Sequence, residues 1–422
     1  MSLLTTLAQT PSKEATEHST PISPEAFAAL YTGVEHIFAS PCATFIAADA
    51  VPLVLDPHRS PSQQVSAALQ AAQHAGAGPA PVVLGALPFD QGGVAALGVS
   101  SRYQRWAPLA RAGAVAPADT GQPAVFLESA GDTQIVSRRA WPDASVYEAA
   151  VDTALERFQP DTLSKVVLSR TLEVTADKPL DRAQLLHRLL VKNPHGLTYA
   201  VPLTESDAQG TPGVFIGASP ELLVRRIGNR VFLNPLAGSA PRRHDAEHDV
   251  QTGQALLASR KDLAEHAIVI DAIVAVLRPL CKRLDVPSGP SLTATDALWH
   301  LSTVIEGELA DAATTALDLA YALHPTPAVC GHPLRAAQQA IAELEPFDRG
   351  LFAGFVGWMD AQGDGEWAVT LRCAKLVGAH AVLYAGAGIV PGSVPALETA
   401  ETQTKFRTML SAMGLDTTLA RA

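Results

Sequence analysis

Apolar positions along this chain keep two rhythms, one of period two and one near 3.6, and the switch between them marks its elements. Residues 1–22 keep neither: rich in Ser, Thr, Glu and Pro, they read as a flexible tail, and folded sequence is expected over residues 23–422. Thr44–Ala47 is a short β-rich run, residues 66–74 form an Ala-rich helix, and residues 81–90 read as a buried strand ending in a turn. Residues 104–123, rich in Ala, Pro and Gly, have no period and read as a surface loop or a join between halves. From Ala144 a helical face appears, with Tyr147, Val151, Ala154, Leu155 and Phe158 in register. Strands are expected over 165–174, 197–203, 214–216, 221–226 and 231–234, with a helix over 181–192 between the first two. Helices over 246–259 and 262–283 follow, the second with Ile268, Val269, Ile273, Val276, Leu277 and Leu280 along one side. Strands return over 298–306, 352–360, 367–376 and 381–385, with helices over 313–323 and 333–343 and a closing helix over 398–413. Strands, then helices, then strands, with hairpin-like turns such as Gly363-Asp364-Gly365, predict α+β with antiparallel sheets and not a doubly wound parallel fold.

Composition narrows the function. With 47% hydrophobic and 17% charged residues the chain is globular, and at 422 residues its length alone suggests two or three domains. Its net charge of −11 argues against non-specific binding of nucleic acid or of anionic membranes. An anionic substrate would therefore need a locally positive pocket or a metal. No signal peptide and no membrane-spanning stretch are expected. Cys42, Cys281, Cys330 and Cys373 form no CxxC pair and read as reduced thiols of a cytoplasmic protein.

A few charged residues stand inside or beside apolar runs. Lys165 heads the run Lys165-Val166-Val167-Leu168; it is either a solvated strand-end lysine or a general base, and the second needs its ammonium destabilised by roughly 4–5 kcal/mol. Glu221 follows a Ser-Pro turn; it is either an ordinary strand-start carboxylate or one aimed inward with a raised pKa, able to donate a proton. Asp262 and Glu265 share one helix face, as do Glu398 and Glu401 on another. Either pair alone is most simply a solvated face, but two converging pairs would offer oxygens to a hard cation such as Mg²⁺. Lys405, one turn beyond Glu401, is either its surface partner or a contact for a substrate carboxylate. Arg372 lies within an apolar run expected to be one strand, and its planar fork suits a carboxylate. Gly386 and Gly388 allow close approach of backbone to a ligand. His300 alone would more simply be a satisfied core histidine. The Gly-rich stretches lack the third Gly of a dinucleotide fingerprint and the Lys-Ser/Thr of a phosphate loop.

Taken together, Lys165–Arg170, residues 298–301, 323–328 and 341–349, and the stretches around Arg372 and Gly386 resemble the chorismate-utilising enzymes. The similarity covers about residues 140–413, with a weaker match at 81–90. The branch most resembled is the siderophore-type isochorismate synthases. The resemblance implies one large domain of two facing antiparallel sheets with helices packed outside, overriding the multi-domain expectation from length. It also implies Mg²⁺-dependent, reversible conversion of chorismate to isochorismate, feeding siderophore synthesis through 2,3-dihydroxybenzoate or salicylate. Lys165 would activate water to attack C2 and Glu221 would protonate the departing 4-hydroxyl. Glu265 and Glu401 would hold Mg²⁺, with Asp262 and Glu398 close by. Gly238, Ser239, His300, Arg372, Gly386 and Lys405 would contact the substrate. The chain departs from the family pattern in the small residues between Glu398 and Glu401 and in having Asp262 where some relatives have glutamate. The expected partner is chorismate alone, with no nucleic acid or membrane and a monomeric protein. The alternatives are a salicylate synthase, which would also eliminate pyruvate, an ammonia-using synthase with an amidotransferase partner, and a non-catalytic chorismate sensor.

Overall fold

The computed structural model describes residues 16–75, 80–109, 133–159, 162–243, 245–295 and 297–415. Two large sheets carry the architecture. The first runs in the order Thr16–Pro21, Tyr103–Ala107, Thr44–Ala47, His36–Ala39, Leu197–Ser206, Pro212–Ser219, Cys373–Val377, His380–Ile389, Lys165–Ala176 and Gly331–His332, with Ile135–Trp141 also on the Lys165–Ala176 strand. The second runs Cys281–Asp285, Ile305–Leu309, Arg230–Asn234, Leu222–Ile227, Gly365–Val369, Phe355–Asp360, Val82–Leu87, Ala96–Ser100 and Val51–Leu53. A small third sheet, Leu236–Pro241, Leu298–Ser302 and Ser291–Ala294, lies apart from both and was not foreseen. Pairing is antiparallel except between Thr16–Pro21 and Tyr103–Ala107, which run parallel.

The large sheets share one apolar core, in which Phe45 of the first lies 4.8 Å from Trp358 of the second, ring centre to ring centre. A second core fills the outer face of the first sheet. There Ala200, Ile216 and Leu383 meet Phe27, Leu186, Leu189, Phe406 and Met409 from the helices Pro24–Ala29, Arg182–Lys192 and Pro395–Ala412. Helices therefore pack outside, as the resemblance implies. Ser23 and Asp181 cap the first two of these through side-chain oxygens, and Pro395 opens the third with its fixed φ.

Four expectations need correction. Thr16–Pro21, assigned to the tail, is a strand, because it hydrogen-bonds to the exposed edge of Tyr103–Ala107 in spite of its polar composition; residues 1–15 lie outside the described residues. The expected loop over 104–123 begins as that strand, and its remainder from 110 also lies outside them. The helix expected over 262–283 stops at Leu277, because Pro279 has no N–H for the helical ladder, and Cys281–Asp285 joins the second sheet. Finally, the runs 298–306 and 367–376 are each broken into two strands that lie in different sheets. All four cysteines are free thiols, and among the described residues no helix is long and apolar enough to cross a membrane.

Candidate active site

The strand breaks build the site. Pro212–Ser219 lies in the first sheet and Leu222–Ile227 in the second, so Pro220 and Glu221 occupy the crossing. Beside it, Gly365–Val369 of the second sheet is followed by Cys373–Val377 of the first, so Leu371 and Arg372 occupy a second crossing that runs antiparallel to it. The crossings are stitched together: Ala218 N donates to Arg372 O at 3.2 Å and Val369 N to Glu221 O at 3.1 Å. Arg372 is thus not mid-strand, as its sequence suggested. It bends the chain with φ +49°, a left-handed conformation that costs a non-glycine residue free energy and that the surrounding hydrogen bonds impose.

A cleft of about 850 Å³, including its mouth, opens beside these crossings. Eleven of the twelve candidate residues line it: Glu221, Gly238, Ser239, Asp262, Glu265, His300, Arg372, Gly386, Glu398, Glu401 and Lys405. The small sheet supplies Gly238, Ser239 and His300, with Ser239 directly opposite His300. Helix Arg260–Leu277 supplies Asp262 and Glu265 from its first turns. Its His266 anchors it there, with Nδ1 3.2 Å from Ala237 O and Nε2 2.7 Å from Thr303 Oγ1. Helix Pro395–Ala412 supplies Glu398, Glu401 and Lys405 from one face, while Thr402 and Phe406 are buried.

Lys165 is the twelfth, and it does not line the cleft. It is wholly buried one layer behind the wall, with Nζ 2.9 Å from Glu265 Oε1 but making no aligned hydrogen bond. Gly388 leaves room for this pair: a Cβ there would lie 2.4 Å from Glu265 Oε1 and 3.3 Å from Lys165 Cε, so a side chain would push the Glu265 carboxylate from its place. Ser169 Oγ and His300 Nε2 are further buried polar atoms of the site without a hydrogen-bond partner. Groups left like this in a cleft are ready to bind a ligand.

Electrostatically the site separates its carboxyls. Burial pushes the Glu221 carboxyl up to about 7, although Leu236 N–H, Lys165, Arg372 and Lys405 pull it down. Burial also raises Glu401, but Lys405, Ser239 and Lys261 outweigh it and hold that carboxyl below its usual range. Lys405 Nζ lies 2.6 Å from Glu401 Oε1 and donates to Gly386 O at 2.7 Å, which fixes its ammonium at the cleft wall. Burial and the nearby Glu401 raise Glu398. Burial raises Asp262, with Glu265 and Glu401 adding to it. Burial lowers Arg372 to about 10. His300 falls well below its usual range through burial and the charges of Arg372 and Lys405, so its ring is neutral near pH 7. Among the described residues, no three acidic, His or Cys side chains converge tightly enough to coordinate one ion as they stand.

Sequence reading missed three cleft residues. Lys261 pairs with Glu398 at 3.1 Å. Arg349 is buried in a paired fork with Glu345 at 2.8 and 2.6 Å and donates to Val329 O and Val167 O, tying the 323–329 segment to the strand of Lys165. Tyr384 stacks on Phe352 at the cleft wall. The Glu345/Arg349 spacing of four was a visible signal for the second.

The family model for chorismate binding enzymes matches residues 123–414. The chain belongs to the chorismate-binding enzymes. It is 46% identical to isochorismate synthase DhbC of Bacillus subtilis, over 84% of this chain and 86% of that protein. It is 44% identical to isochorismate synthase EntC of Escherichia coli K12, over 84% and 87% respectively. A crystal structure from Bacillus anthracis, provisionally named a 2,3-dihydroxybenzoate-specific isochorismate synthase, superposes with a TM-score of 0.84 at 42% identity, covering 93% of this chain and all of that one. Anthranilate synthase component I of Streptococcus pneumoniae, at 22% identity and a TM-score of 0.66, shares the fold.

Proposed function

We propose that the protein is an isochorismate synthase, converting chorismate to isochorismate reversibly. The observation that carries this is Glu221: a buried carboxyl poised at about 7, in one cleft with Arg372 and Lys405 and within electrostatic reach of Lys165. At neutral pH such a group carries a proton part of the time and gives it up easily. In the forward direction water bonds to ring C2, the two ring double bonds each move one position, and the C4 hydroxyl leaves. Lys165 accepts the proton of the attacking water, and Glu221 donates one to the leaving hydroxyl, which departs as water. One water enters and one leaves, so the reaction is an isomerisation. Lys165 reaches the cleft only past Glu265 and Gly388, so the pair must loosen for the base to meet its water.

Arg372 and Lys405 are the groups for substrate carboxylates, and the neutral His300 and Ser239 line the ring site. The charge balance favours a cation cofactor. With Arg349 neutralised by Glu345, Glu221 able to hold a proton and Lys165 neutral when it acts as base, Lys261, Arg372 and Lys405 fall one charge short of Asp262, Glu265, Glu398 and Glu401. A dianionic substrate then adds two uncompensated negative charges. Mg²⁺ fits this oxygen-rich wall; Glu265 and Glu401 would hold it, with Asp262 and Glu398 beside them. When bound it would neutralise the ring carboxylate and strengthen electron withdrawal from the ring. The free thiols of all four cysteines fit a cytoplasmic enzyme. The name of the Bacillus anthracis relative, specific for 2,3-dihydroxybenzoate, supports a role in supplying isochorismate to 2,3-dihydroxybenzoate and so to siderophore synthesis.

Proton NMR of purified protein with chorismate tests the reading. The expected result with Mg²⁺ is a chorismate–isochorismate mixture, reached from either side and lost with EDTA. Salicylate plus pyruvate would move the protein to salicylate synthase, and no turnover would leave a chorismate sensor.

A further inference from the structure

Lys261 breaks a local rule. It is the second residue of helix Arg260–Leu277, the end where a cation is disfavoured by the helix dipole. Its ammonium does not turn to solvent. It crosses to the other helix and meets Glu398 Oε1 at 3.1 Å, half-buried, against a carboxylate whose side chain is only 4% exposed. The same charge also acts on Asp262, Glu265 and Glu401, so it lies electrostatically among all four acidic groups of the wall. The other two cations of this corner pair with other carboxylates of the same wall, Lys165 with Glu265 and Lys405 with Glu401, but their side chains are only 0% and 14% exposed, whereas that of Lys261 is 42% exposed and has room to swing out.

We propose that Lys261 is an internal stand-in cation that holds the four-carboxylate wall together in the metal-free protein and must release Glu398 when a divalent cation enters. This rests on reading that wall as the Mg²⁺ site. It makes Lys261 a positioning residue that sets metal affinity by competing with the cation for Glu398.

The test is Mn²⁺ binding without substrate, followed by the EPR signal of free Mn²⁺. Lys261→Met is expected to bind Mn²⁺ about two- to five-fold tighter than the parent protein, the range of a partly exposed ion pair; Lys261→Arg, which keeps the charge, should bind like the parent. Lys261→Gln serves as a second neutral variant should the methionine variant fold poorly. In thermal unfolding, the neutral variants should melt lower in EDTA and gain more from added Mg²⁺ than the parent. Equal or weaker Mn²⁺ binding by both neutral variants, or equal tightening by Lys261→Arg, would overturn the proposal. Parent protein whose Mn²⁺ binding is absent, or unchanged by Glu401→Gln, would overturn the metal site itself, and the stand-in role with it.

Discussion

Two regions of the sandwich use burial in opposite ways. Where the N-terminal strands enter, Phe45 packs against Tyr103 and Trp358, and Arg105 lays its guanidinium over Phe45 at 5.4 Å and Trp358 at 5.6 Å. Apolar area leaves water there, the Arg105 side chain over the rings stays 39% exposed, and the buried Glu366 beside Trp358 accepts a hydrogen bond from Ser40, so the region contributes stability. Beside the cleft, Lys165, Glu221, Arg372 and Glu398 are each 8% exposed or less, and Nζ of Lys165 makes no aligned hydrogen bond. Burying charges this way costs folding free energy unless each finds a partner. The difference teaches that stability and chemistry are assigned to separate stretches of the same two sheets.

Substitution at each region tests this separation. Lys165→Ala should lower turnover by about 100- to 10,000-fold, the usual range for a lost general base. Its melting temperature should stay close to the parent's, measured on the same sample by NMR turnover and thermal unfolding. Near-normal turnover would remove Lys165 as base. Phe45→Ala should do the reverse: about 3–5 kcal/mol of stability lost in denaturant unfolding, with turnover per folded molecule within about two-fold of the parent. A selective loss of turnover would mean that the apolar region reaches into the chemistry.

The smallest effect is one of pH. Glu221 has its carboxyl raised from 4.5 to about 7. As proton donor it must be protonated, so the forward rate should fall as pH rises above about 7, approaching tenfold per unit. Glu221→Gln should leave only a residual rate without this limb. The linkage sign is fixed as well: folding favours the protonated form, so this stabilisation is complete below 4.5 and is lost as pH rises through about 7. Stability that instead rose over this window would put the raised carboxyl elsewhere.

Most elements were legible because their apolar spacing is local. The helix at Ala144–Arg157, the strand at Lys165–Ala176 and the acidic pairs on two helices all follow from residues three, four or two apart. Glu221 was legible as a turn residue because Ser219 and Pro220 precede it. Arg372 was not legible as one: no glycine or proline marks the bend between Val369 and Cys373, and its left-handed conformation is set by hydrogen bonds to a strand about 150 positions earlier. The break at Thr303-Val304 was hidden in the same way.

The sequence by itself determined the α+β class, the family resemblance and the identity of the charged residues, since these depend on order and local periodicity. The tertiary structure decided which charges meet. It set Lys165 behind Glu265 and not in the cleft, paired Lys261 with Glu398, and gave Glu221 its raised carboxyl. Burial and through-space charge depend on what surrounds a group in three dimensions, and a chain read in one dimension carries neither.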